Sequence, residues 1–148
     1  MPLLHNSMKE VLRLCLPLIL LIYQALKEVE IRAAGKNYII PEGDMVLVSP
    51  SLGMRIPEIL MEPNTFEPDW FGPGREEDKI SPYTCMDSGG VHSCMEQNDV
   101  FVQVTNILSI LFREFGLEMV SKTMLEINYE AVVVGHQGDC CVSYKRRS

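Results

Sequence analysis

The sequence predicts an α+β unit built from two principal helices, small β hairpins and a long meander between them. Three observations predict it. Two separate segments carry apolar residues at spacings of three and four. Short alternating runs bounded by proline and glycine lie between and after them. Most of the 9 prolines and 10 glycines fall in residues 41–90, which therefore read as turns and loops.

The first helix covers residues 1–16, where Met8, Val11, Leu12 and Cys15 recur on one face. It stops near Leu16, because the residue before Pro17 avoids the α region. Glu10 and Arg13 are three apart and so are neighbours on its surface. Strands follow in residues 28–48. Val29-Glu30-Ile31-Arg32 alternates as a half-buried strand does, and Pro41-Glu42-Gly43-Asp44 suggests a turn joining 38–40 to 45–48 in a hairpin. Residues 49–86 are the meander, with a short helix expected around 57–61. The second helix is expected over 97–115 with a stripe of Phe101, Val104, Leu108, Leu111 and Phe115, and Gly116 reads as its stop. Strands are expected within 117–144, with Gly135-His136-Gln137-Gly138 as a turn between 131–134 and 140–144.

A length of 148 residues suits one domain, and 47% hydrophobic with 22% charged residues is globular composition. With 13 basic and 20 acidic residues the net charge is -7, which repels phosphate and argues against nucleic acid as a partner. Lys145-Arg146-Arg147 reads as a solvated tail. The 5 cysteines, Cys15, Cys85, Cys94, Cys140 and Cys141, have no disulfide-like spacing, so a reducing compartment is expected. The apolar run 14–23 is too short to span a bilayer and contains Pro17, so neither a secretory signal nor a transmembrane anchor is expected in this chain.

Residues 87–96 form a glycine-containing loop that runs into the second helix. Ser93 and Glu96 match a capping box, which places Cys94 in the first helical turn. Backbone amides and the helix dipole there favour a thiolate. By themselves these residues read first as a capped helix with an incidental cysteine. They also allow a thiol or metal site from Cys85, His92 and Cys94, which lacks a fourth ligand, or a nucleophilic cysteine assisted by His92 or His136.

A helix with Glu10-x-x-Arg13, a meander ending Pro68-Asp69-Trp70-Phe71, and a glycine loop ending in Cys94 before a long helix occur in cytochrome P-450 order. Pro2-Leu3-Leu4-His5-Asn6, Lys9-Glu10-Val11-Leu12-Arg13-Leu14, Gly74-Arg75-Glu76-Glu77-Asp78-Lys79, Val133-Val134-Gly135 and Tyr144-Lys145-Arg146-Arg147 further resemble the sterol 14-demethylases, especially the plant branch. The resemblance covers the whole chain and only the C-terminal portion of a mainly α cytochrome P-450 fold.

The resemblance implies haem as cofactor, with Cys94 as the axial thiolate ligand of its iron and His92 beside a propionate. Glu10 and Arg13 take two places in a structural charge network. Leu18, Leu20, Ile22 and Val132 fall in segments that line the sterol pocket. The implied partners are a sterol substrate and an NADPH-dependent reductase. The implied location is the cytosolic face of the endoplasmic reticulum membrane, or the cytoplasm for the chain as given. Several positions depart from the pattern. Asp87 stands for Phe, Val91 and Tyr23 for propionate-pairing Arg, Glu96 for Gly and Trp70 for the network Arg. These changes remove guanidinium partners and put acid near the thiolate, so weakened haem binding is expected. The resemblance also places the oxygen-activating helix and most of the distal pocket outside this chain. The chain alone is therefore expected to be inactive in sterol demethylation. Two rivals stand beside this reading: a non-enzymatic fragment that binds haem weakly or interacts with a relative, and the thiol or metal site named above.

Overall fold

The computed structural model describes residues 2–75, 95–120, 127–128, 130, 133 and 135–147. The first helix, α1, spans Pro2–Leu14, and the second long helix, α3, spans Gln97–Glu114. Pro2 opens α1 where its missing N–H costs nothing, and Arg13 and Arg113 sit in the last turns, where the dipole favours cations. The two helices touch through the His5 and Phe101 rings, whose centroids are 5.0 Å apart, and through Thr105 Oγ1, which donates to Met8 Sδ at 3.4 Å.

Between them lies a nested antiparallel pair of ladders. The outer ladder joins β1 (Leu21–Gln24) to β4 (Met45–Val48), and the inner one joins β2 (Val29–Ala33) to β3 (Lys36–Ile40). Ala34 and Gly35 close the inner ladder with φ of 49° and 76°, the two positive values of a type I′ turn. The hairpin expected between 38–40 and 45–48 does not form. The turn at 41–44 does close, with Asp44 N donating to Pro41 O at 3.3 Å. It also exchanges bonds with Ala25, through Gly43 N to Ala25 O at 2.8 Å and Ala25 N to Asp44 O at 2.9 Å. That contact hands the following strand to β1. All five residues of β2 are exposed, so the alternation read there as half-burial has no core beneath it.

The short helix of the meander, α2, is at Pro50–Gly53, not at 57–61, where the chain makes turns. A 3₁₀ turn at Pro68–Phe71 packs on α1. At its far end α3 passes directly into β5 (Phe115–Met119), with Phe115 at φ -130° and ψ 142°. Gly116 is a strand residue here and no glycine cap ends the helix. β5 pairs with β8 (Val142–Arg146), and Phe115 meets Tyr144 edge-on at 5.6 Å. Gly135–His136 is itself a strand, β7, paired with β6 (Ile127–Asn128), so the turn expected at 135–138 is displaced; Gly138 takes the bend at φ 80°. Among the described residues the buried apolar side chains are Leu16, Met54, Leu60 and Trp70, all beside the C-terminal half of α1 or in the meander.

Candidate functional site

The best-built polar arrangement starts from Glu10 and Arg13. Their i,i+3 spacing puts them on one face of α1, and both are buried. Arg13 Nε donates to Glu10 Oε2 at 2.7 Å and Nη2 to Oε1 at 2.8 Å, a fork-on-fork pair. The remaining guanidinium hydrogens go to the meander: Nη1 to Met54 O at 3.1 Å and Pro63 O at 2.7 Å, and Nη2 to Thr65 O at 3.1 Å. All five N–H donors of the guanidinium are thereby used. The carboxylate takes a third bond from Glu67 N at 2.8 Å. Glu67 in turn opens the 3₁₀ turn, its side chain accepting from Asp69 N at 3.3 Å. One ion pair thus fixes residues 54–67 against α1 and sets where the chain enters 68–75.

Trp70 is buried under that turn, where the family resemblance leads one to expect an arginine. Its indole Nε1 has no hydrogen-bond partner among the described residues. Gly72-Pro73-Gly74-Arg75 forms the next turn, with Gly74 at φ 82° and Arg75 N donating to Gly72 O at 3.3 Å. It carries the Arg75 guanidinium to 4.2 Å from the Trp70 ring centroid, and Lys9 of α1 lies 5.2 Å from the Phe71 ring. The reading of the sequence missed this pair of cation–π contacts; the Pro-Gly turn signature between Trp70 and Arg75 was the available signal.

Leu18, Leu20 and Ile22 form an exposed apolar row, since Ile19, Leu21 and Tyr23 turn to the other side. Leu47, the cross-strand partner of Ile22, extends it. On α3, Glu96 occupies the N-cap position, not the third helical position that a capping box requires, and makes no side-chain cap bond. The capping-box expectation for Glu96 is therefore corrected. Cys85, Asp87, Val91, His92, Ser93, Cys94 and Val132 lie outside the described residues. Cys15, Cys140 and Cys141 are free and exposed, and no group of three metal-ligating side chains occurs among the described residues. No helix among them is long and apolar enough to cross a membrane. His5 has its pKa lowered, first by partial burial and then by the charges of Lys9 and the N-terminal amine.

The family model described as cytochrome P-450 matches residues 1–139. The chain belongs to the cytochrome P-450 family. The sterol 14-demethylase of Arabidopsis thaliana is 41% identical over 151 residues, covering 99% of this chain and 30% of that protein. The obtusifoliol 14-alpha demethylase of Sorghum bicolor is 41% identical over 150 residues, with the same coverage of each. The sterol 14alpha-demethylase of Mycobacterium tuberculosis H37Rv is 36% identical over 149 residues, 99% of this chain and 32% of that protein. Among solved structures, retinoic acid bound cyanobacterial CYP120A1 superposes with a TM-score of 0.83 at 20% identity, over 99% of this chain and 33% of that one. That likeness shows the fold: this chain has a partial cytochrome P-450 fold and spans about a third of the length of the proteins it matches.

Membership of the cytochrome P-450 family carries haem as the cofactor. In the chemistry of its side chains the sequence fits it in one respect: Cys94, which lies outside the described residues, carries the soft sulfur donor that haem iron accepts.

Proposed function

We propose that the chain is the haem-thiolate part of a monooxygenase of the sterol 14-demethylase type, which removes a sterol 14-methyl group oxidatively. The observation that carries this reading is the match of 99% of the chain to demethylases at 36–41% identity. Haem supplies oxygen activation when bound. In this reading Cys94, in the loop 87–96, holds the iron and His92 contacts a propionate. The Glu10–Arg13 pair fixes the meander that leads to that loop, and Leu18, Leu20, Ile22 and Val132 face the sterol. The substrate is a sterol. Electrons come from a redox partner, an NADPH-dependent reductase, at the cytosolic face of the endoplasmic reticulum membrane.

The test is reconstitution with haem and a carbon monoxide difference spectrum of the ferrous form. A thiolate-type band is expected in the parent chain and in Cys85→Ala, and is lost in Cys94→Ala. A band that survives Cys94→Ala overturns the ligand assignment. Stoichiometric zinc in haem-free protein, lost in Cys85→Ala, would favour the thiol or metal site instead. The departures at Asp87, Val91 and Glu96 weaken haem retention in this reading. Asp87→Phe, Val91→Arg and Glu96→Gly together are expected to tighten haem by about tenfold or more, since one charge-assisted bond alone contributes about 1.5–3 kcal/mol.

A further inference from the structure

Cys140 and Cys141 are adjacent in sequence, and both are free and exposed. The nearest other pair, Cys85 and Cys94, is not adjacent. The fold holds the two neighbours differently. Cys141 leads into β8, and its carbonyl accepts from Val120 N at 3.0 Å at the end of the β5–β8 ladder. Cys140 lies before the ladder and shortly after the bend at Gly138, where φ is 80°. One thiol therefore rides on a fixed backbone, and the other on a segment whose dihedrals are not set by strand pairing. Each sulfur can then choose among its staggered rotamers in open solvent.

Adjacency decides what the pair can do. Across a trans peptide two Cα atoms are about 3.8 Å apart. A disulfide prefers Cα atoms about 4.4–6.8 Å apart, so direct closure between neighbours is strained and readily reduced. One interposed atom bonded to both sulfurs enlarges the ring and relieves that strain. Such an atom must be soft to prefer thiolate sulfur. It must also be satisfied by two protein ligands, whereas structural zinc wants four, and no group of three metal-ligating side chains occurs among the described residues. Trivalent arsenic carrying one organic group meets both conditions. We propose that Cys140 and Cys141 form a dithiol site for a trivalent arsenical. Each sulfur bonds to arsenic, the bonds from arsenic to its oxide oxygen break, and that oxygen leaves as water with the two thiol protons. Nothing is oxidised or reduced, and no co-reactant is needed. The second sulfur binds intramolecularly, which strengthens binding about a hundred- to ten-thousandfold over one thiol. The site uses neither haem nor Cys94 and so goes beyond the proposed function.

The test is intact-mass spectrometry of the reduced 148-residue chain titrated with phenylarsine oxide in excess glutathione. A single adduct is expected, heavier than the chain by phenylarsine oxide less one water. It should persist in the monothiol glutathione and be removed by the dithiol dithiothreitol. Cys140→Ala and Cys141→Ala are each expected to weaken it at least about a hundredfold, because each leaves a single thiol. Cys15→Ala, just beyond α1, is expected to leave it unchanged. So is Cys94→Ala, which separates this site from the haem ligand. Circular dichroism checks that the variants fold as the parent does, and if one of the pair variants misfolds the other decides. No adduct, an adduct that glutathione strips, or one that survives loss of either member of the pair overturns the inference.

Discussion

Arg13 has five N–H donors and makes five hydrogen bonds, three of them to carbonyls 41 to 52 residues away in sequence. Removing it leaves a buried carboxylate and three carbonyls without this partner. Arg13→Ala is therefore expected to cost about 3–5 kcal/mol, a large part of the 5–15 kcal/mol typical of a domain. Arg13→Lys should still lose much of this, because an ammonium has three donors and no planar fork. Urea denaturation followed by circular dichroism checks both. The i,i+3 spacing made the Glu10–Arg13 contact legible in the sequence. The partners at Met54, Pro63, Thr65 and Glu67 were not legible, because a backbone carbonyl or amide carries no residue signature. His5 supplies a pH dependence. Its pKa is lowered in the folded chain, so between that value and the unfolded value near 6.5 the unfolded state binds more protons. Stability is therefore expected to fall as pH drops below about 6.5 and to level off above it, with His5→Gln flattening the slope. Melting temperatures of the two proteins from pH 5 to 8 read this directly; parallel profiles would remove His5 as the cause.

At the scale of elements, the two long helices were legible because their apolar stripes repeat locally over many turns. The strand pairings were not. Val29 to Arg32, Tyr38 to Ile40 and Met45 to Val48 were recognised as strands, but β1 was hidden in the apolar run 14–23 and the Ala34-Gly35 turn lacks the usual Asn or Asp. With those two signals weak, the stronger Pro-x-Gly turn drew the wrong pair together. Ala34 at φ 49° carries the penalty of a Cβ in the left-handed region, about 1–2 kcal/mol. Ala34→Gly relieves it against an unfolded-state entropy loss of about 0.4–1 kcal/mol. The net expectation is a gain of about 0.5–1 kcal/mol, visible as slower amide exchange across β2 and β3. Gly74→Ala acts in the opposite direction: φ 82° is strained for alanine, and the turn that brings Arg75 over Trp70 is disturbed. Trp70 is the only tryptophan, so its fluorescence should shift to the red in Gly74→Ala and in Arg75→Ala. Unchanged emission in both would show that the stack does not shield the indole.

At the scale of the whole molecule, large apolar side chains of the described residues stand exposed along the groove of α1 and α3, and on the row of Leu20, Ile22 and Leu47. Composition did not reveal this openness, because 47% hydrophobic residues suit a packed domain, and packing depends on how many layers meet around each stripe. The energetic consequence is a shallow melt. A packed domain of 148 residues unfolds with roughly 100 kcal/mol of enthalpy near 60 °C, at about 0.7 kcal/mol per residue. With Leu16, Met54, Leu60 and Trp70 as the buried apolar side chains among the described residues, the chain alone is expected to show less than about half of that. It should also bind a hydrophobic dye before the transition, as exposed apolar patches do. Calorimetry and dye titration measure the two together. A chain that alone melts sharply with the full enthalpy and binds no dye would mean that its stripes are satisfied internally.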